Sequence, residues 1–93
     1  MVNEVRAAHI LVRGEDYAKE LMDKIQKGMN FSELAKKHST CPSGKSGGDL
    51  GWFGRGRMVR EFEKAAFDAE KGAVVGPVKT EFGYHIIKVL DRR

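Results

Sequence analysis

An α+β domain, built on one mainly antiparallel sheet with helices packed over it, is the fold class this sequence predicts. Three observations carry that expectation. Segments rich in β-branched and aliphatic residues stand near both ends of the chain, and stretches of helical periodicity lie between them. Taken in order, the segments read strand, two helices, a short helical turn, strand, helix, strand, strand. The 93 residues are too few for two domains, so four strands and about four helices share one core across residues 1–93, and any active site shares it with them.

The first strand covers Val5 to Val12 and stops at Arg13-Gly14. Successive strand side chains alternate faces, so Ala7, His9 and Leu11 share one side and Ala8, Ile10 and Val12 the other; His9 therefore points where a core or a pocket lies. From Asp16 to Gln26, Ala18, Leu21, Met22 and Ile25 recur with the spacing of an amphipathic helix, and Gly28 follows as its stop. Asn30 and Glu33 form an Asn-x-x-Glu capping pattern, after which Phe31, Leu34, Ala35 and His38 carry a second, shorter helix to the neighbourhood of Ser39.

Residues 41–57 hold six of the eleven glycines together with Pro42, which predicts a loop with one helical turn; the apolar Leu50-Gly51-Trp52-Phe53 within it predicts a short strand. A third helix spans Met58 to Ala69, with Met58, Phe62, Ala65, Ala66 and Ala69 on its apolar side. Val74 to Thr80 is an edge strand, because Pro77 has no N–H to donate to a ladder. Glu81-Phe82-Gly83 turns the chain into a final strand, Tyr84 to Leu90, in which His85, Ile87 and Val89 share a face. If the first and last strands are neighbours, His9 and His85 lie side by side and hydrogen-bond through their rings, a juxtaposition that periodicity alone does not decide.

Aliphatic and aromatic residues make up 41% of the chain, enough for a core in a domain that buries only about 60 to 65% of its unfolded surface. Cys41 is the one cysteine, which excludes an intramolecular disulfide and points to a reducing, cytoplasmic setting. The opening Met1-Val2-Asn3-Glu4-Val5-Arg6 lacks the build of a signal peptide, and no run approaches the roughly 18 apolar residues of a membrane span, so no membrane partner is expected. A net charge of +4 is spread among interspersed acids and gives only a weak bias toward acidic partners. Nucleic acid is not an expected partner; the Gly54-Arg55-Gly56-Arg57 loop is where one would bind, with an affinity that falls steeply with salt.

Several site chemistries can be weighed on these residues. Gly44-Lys45-Ser46 ends like a phosphate-binding loop, but the first glycine that loop requires is replaced by Ser39, and a helix rather than a strand precedes it. His38 and Cys41 have a local spacing that suits zinc, yet there is no second cysteine, so no metal and no cofactor are expected. A Cys/His pair also fits a thiol hydrolase, for which so short a chain leaves little room to align an extended substrate.

A reaction that breaks no covalent bond suits the residues better. Rotation about a prolyl amide faces a barrier of roughly 18 to 20 kcal/mol, set largely by resonance that spreads the nitrogen lone pair into the carbonyl. A dry apolar pocket around the proline ring disfavours the charge-separated form, while a few fixed polar groups favour the pyramidal nitrogen. Met58 and Phe62, one helical turn apart, supply the apolar grip, and His9, His85, Thr80 and Cys41 are the candidate polar groups.

Five segments, His9-Ile10-Leu11-Val12, His38-Ser39-Thr40-Cys41-Pro42-Ser43-Gly44, Gly47-Gly48-Asp49-Leu50-Gly51, Gly56-x-Met58-x-x-x-Phe62 and Phe82-Gly83-Tyr84-His85-Ile86-Ile87, together resemble the parvulin peptidyl-prolyl cis/trans isomerases in order and spacing. That resemblance runs essentially end to end. It implies the FKBP-like superfold, a four-stranded mainly antiparallel sheet surrounded by about four helices, and isomerase activity on X-Pro bonds. It further implies a central polar dyad of His9 and His85 with Thr80 hydrogen-bonded nearby, and Cys41 beside the rotating bond. Leu50, Met58 and Phe62 would form the proline pocket, with Phe82 at its rim where phosphate-directed relatives carry a small polar residue. Related proteins carry Asp at the position of Cys41, so the resemblance implies a polar rather than a covalent role for the thiol. The expected partners are proline-containing peptides and unfolded or partly folded proteins, and the expected state is a monomer. Phosphate-directed members carry a basic cluster after the first strand; here Gly14-Glu15-Asp16 follows Arg13, which predicts no preference for a phosphorylated residue before proline. The alternative is a catalytically silent peptide-binding or chaperone module of the same fold.

Overall fold

The computed structural model describes residues 2–93. Its strands are β1 (Glu4–Val12), β2 (Asp49–Gly54), β3 (Val74–Thr80) and β4 (Gly83–Arg92); its helices are α1 (Glu15–Gln26), α2 (Phe31–His38) and α3 (Arg60–Asp68), with a 3₁₀ turn at Pro42–Ser46. All strand pairings are antiparallel, and the sheet order is β2-β1-β4-β3. The chain's first and last strands are thus the two central ones, and β3, interrupted in its register between Val75 and Val78 where Gly76-Pro77 stands, is an edge.

Helices cover both faces of this sheet. On one face Val5, Ala7, Ile87 and Val89 pack with Phe53 and with Phe62, Ala66 and Phe67 of α3. On the other, Ala8, Ile10, Val12 and Ile86 pack with Ala18 and Leu21 of α1 and Phe31, Leu34 and Ala35 of α2. The alternation along β1 therefore separates two cores rather than a core from solvent, which is why the strand carries so few polar residues. Asn30 caps α2, its side-chain oxygen accepting the Glu33 N–H at 2.9 Å. At the far end of the sheet, Glu4 and Arg93 exchange backbone hydrogen bonds of 2.8 and 2.9 Å, so β1 and β4 run past the apolar residues that mark them in sequence.

One predicted boundary is corrected. The third helix was expected to span Met58 to Ala69, but α3 begins at Arg60: Val59 is extended (φ −59°, ψ 150°) and serves as the N-cap, and Ala69 is again extended beyond the last turn. Met58 and Phe62 are therefore not successive turns of one helix. Both ends misled for the same reason: Met58 and Ala69 pack against the α3-side core from outside the helix, and apolar spacing reports burial, not backbone conformation.

Candidate active site

His9 on β1 and His85 on β4 project from the α3 side of the sheet. In the β1–β4 register His9 is opposite Ile87 and Leu11 is opposite His85, so the two histidines are diagonal neighbours. Their Nδ1 atoms lie 3.0 Å apart, so one donates and the other accepts, and a single proton occupies that contact. His85 Nε2 lies 2.7 Å from Thr80 Oγ1, which also accepts the Phe82 N–H at 3.2 Å. A continuous polar chain thus runs from His9 through His85 and Thr80 to the backbone of the β3–β4 turn. Phe62 closes over it, its ring edge-to-face with His9 at 5.5 Å and with His85 at 5.3 Å.

Both imidazoles are almost completely buried, 5% exposed for His9 and 4% for His85. Burial, reinforced by the neighbouring His85, pushes His9 down to about 4, and burial lowers His85 as well. The dyad is neutral near neutral pH. His9 Nε2 is buried and has no hydrogen-bond partner among the described residues, leaving it as the dyad's one uncommitted polar atom.

Cys41 reaches the site through a short tether on β1. Ser39 Oγ accepts the Leu11 N–H at 3.1 Å and the Cys41 N–H at 3.3 Å, while the Thr40 N–H donates to the Leu11 carbonyl at 2.8 Å. The thiol accepts a hydrogen bond from the Ser43 hydroxyl at 3.3 Å, and neither histidine is bonded to it. A Cys-His nucleophile pair is therefore not assembled here. On the β2 side, the His9 N–H donates to the Gly48 carbonyl at 2.9 Å. A Cβ at Gly48 would lie 2.2 Å from the His9 carbonyl oxygen at φ +84°, so only glycine lets the loop come this close. Asp49 then pins the start of β2, accepting the Gly51 N–H at 2.8 Å and pairing with Arg6 at 2.6 Å. Leu50 is left facing the groove.

The groove has a volume of about 540 Å³, within the usual range for a ligand cleft. It brings together seven of the eight residues singled out from the sequence: His9, Cys41, Leu50, Met58, Phe62, Phe82 and His85. Thr80 is not on its wall but stands behind His85. Phe82 is 60% exposed and forms the rim. Leu11, Thr40, Pro42, Arg57 and Val59 also line the groove. Leu11 was legible, since it shares a strand face with His9, and Thr40 and Pro42 flank Cys41. Arg57 and Val59 carried no signal, because side-chain direction in an irregular segment has no period to read. His38 lies outside the groove, its Nδ1 bonded to the Tyr17 hydroxyl. Among the described residues no group of three or more His, Cys, Asp or Glu is arranged to hold a metal ion.

Comparison with known proteins gives a consistent picture. The family model for the rotamase, PPIC-type PPIase domain matches residues 9–91. The foldase protein PrsA of Geobacillus kaustophilus is 57% identical over 90 residues, which is 96% of this chain but 32% of that protein. The chain thus spans about a third of the length of the curated relatives it matches. The crystal structure of the peptidylprolyl isomerase PrsA from Bacillus anthracis superposes with a TM-score of 0.97 at 44% identity, over 99% of this chain and 43% of that one. The solution structure of the parvulin of Nitrosopumilus maritimus, also 44% identical, has a TM-score of 0.86 and covers 96% of this chain and 97% of its own.

Proposed function

We propose that this chain, which belongs to the PPIC-type PPIase family, is a parvulin-type peptidyl-prolyl cis/trans isomerase whose catalysis takes place in the groove over His9 and His85, without any covalent intermediate. One observation carries the proposal: a neutral, mutually hydrogen-bonded imidazole pair is sealed beneath a groove whose walls are almost wholly apolar. Leu50, Met58 and Phe62 hold the proline ring, and their low-dielectric surroundings disfavour the charge-separated amide, which lowers the barrier to rotation. His9 and His85 hold each other and the groove floor in place. Thr80 is a positioning residue that acts through His85. Cys41 stands beside the bond as a polar group, its thiol oriented by Ser43.

The clients are proline-containing segments of unfolded or partly folded proteins, in keeping with the foldase relatives, and folding assistance is the task. The lone thiol supports a cytoplasmic setting. No phosphate preference is expected before proline, since Arg13 is followed by Glu15 and Asp16 in the first turn of α1.

The test is the cis-to-trans relaxation of short X-Pro peptides, uncatalysed in about 10 to 100 s, with and without catalytic amounts of the protein. Acceleration that is equal for a Ser-Pro peptide and its phosphoserine twin is the expected result. A folded sample that binds the peptides but leaves every rate unchanged would establish the silent binding module instead.

A further inference from the structure

One wall of the groove is a stretch of chain with no regular structure of its own. Residues 55–59 are neither helix nor strand, yet Arg57, Met58 and Val59 in succession line the groove. Glu63, in the first turn of α3, holds this stretch at two points. Its backbone N–H donates to the Val59 carbonyl at 2.9 Å, and its carboxylate Oε1 accepts the Gly56 N–H at 2.5 Å. We propose that Glu63 is a positioning residue for the isomerase reaction: its carboxylate clasps the β2–α3 connection and so fixes where Met58 meets the proline ring. The inference rests on the isomerase reading of the same groove.

Three features support it. Gly56 turns the chain at φ +87°, and nothing lies within 4 Å of where its Cβ would be, so at this point the hydrogen bond to Glu63 holds the turn and packing does not. The clasp is itself anchored to the core. The Glu63 side chain is only 20% exposed, the Arg55 guanidinium lies 4.0 Å from its other oxygen, and Arg55 is stacked at 4.4 Å over Phe67, a buried residue of the α3-side core. A carboxylate in the first turn of α3 also faces the positive end of that helix. Finally, Met58 packs from outside the helix, so no helical backbone aims its side chain and its direction is set by the loop that Glu63 closes. A small displacement of a group that touches the substrate is enough to cost rate.

Two conservative variants and one double variant test the clasp, with rates taken per folded molecule. Glu63→Asp keeps the charge but shortens the reach by one methylene, whereas Glu63→Gln keeps the reach and an accepting oxygen but removes the charge. In the isomerisation of an X-Pro peptide, kcat/KM should fall about ten-fold in Glu63→Asp and return to within about three-fold of the wild type in Glu63→Gln. Hydrogen exchange at the Gly56 amide should quicken in Glu63→Asp and much less in Glu63→Gln. If Glu63 acts through Met58, the loss caused by Glu63→Asp should shrink to less than about two-fold when it is made in a Met58→Ala protein. A role confined to stability does not shrink in that way, and it moves neither the Asp/Gln contrast nor the Gly56 amide selectively. Unchanged kcat/KM in Glu63→Asp, or a loss that persists undiminished beside Met58→Ala, would overturn the assignment to Glu63 and leave the isomerase intact. Failure of the wild-type protein to accelerate any peptide would overturn both.

Discussion

At the scale of single residues, the site depends on two histidines that are buried uncharged. An imidazole held down at about 4 in the folded protein titrates near 6.5 once unfolded. Between those values the unfolded chain binds more protons than the folded one, so stability falls as pH falls, and His9 alone should cost about 2 kcal/mol between pH 7 and pH 5. His85 acts in the same direction. The carboxylates held low by partners, Asp49 and Asp91, lose their stabilisation only as pH drops through the carboxylate range, below this window. Urea unfolding at the two pH values checks the expectation, and a folded His9→Leu protein should show much less of the slope. Cys41 invites a different test. If its role is polar, Cys41→Asp should keep kcat/KM within about ten-fold of the parent, whereas an intact fold with no activity would revive covalent chemistry.

At the scale of elements, what matters is how backbone segments aim side chains. Replacing Asn30 by Ala removes the oxygen that caps α2 and should cost about 1 kcal/mol in unfolding experiments while leaving peptide turnover alone, since α2 packs on the face of the sheet away from the dyad. Gly48→Ala is the contrasting case. The new methyl would collide with the His9 carbonyl in a left-handed backbone, so at least about 2 kcal/mol of stability should go, and kcat with it, as β2 and Leu50 withdraw from the groove. The elements themselves were largely legible. The cap at Asn30, the stop at Gly28 and the edge character forced by Pro77 each rest on local chemistry that operates wherever the chain goes. The start of α3 was not, because its N-cap is Val59, whose side chain makes no capping hydrogen bond and so leaves no capping pattern to read.

At the scale of the whole molecule, β1 and β4 form the boundary between both cores, and neither face can come apart without exposing the other. The radius of gyration of 11.9 Å is close to the roughly 12 Å expected for a single compact unit of this length. Unfolding should accordingly be a single transition: Trp52 fluorescence on β2 and the far-ultraviolet signal of the helices should give superimposable urea curves. Phe67→Ala on one face and Ile10→Ala on the other should each shift both curves together, by roughly 2 to 5 kcal/mol. A probe-dependent midpoint would mean that the α1–α2 layer unfolds separately.

The sequence by itself determined the order of the elements, the two faces of the first and last strands, and the residue types from which a dry, polar-floored groove is made, because periodicity, capping and turn chemistry act over a few residues. Only the tertiary structure decided that β1 and β4 are neighbours. That adjacency brings His9 within 3.0 Å of His85 across 76 residues of chain and so places the two imidazoles in the groove together. Those placements follow from which apolar faces bury one another, a choice made between distant segments that leaves no period along the chain.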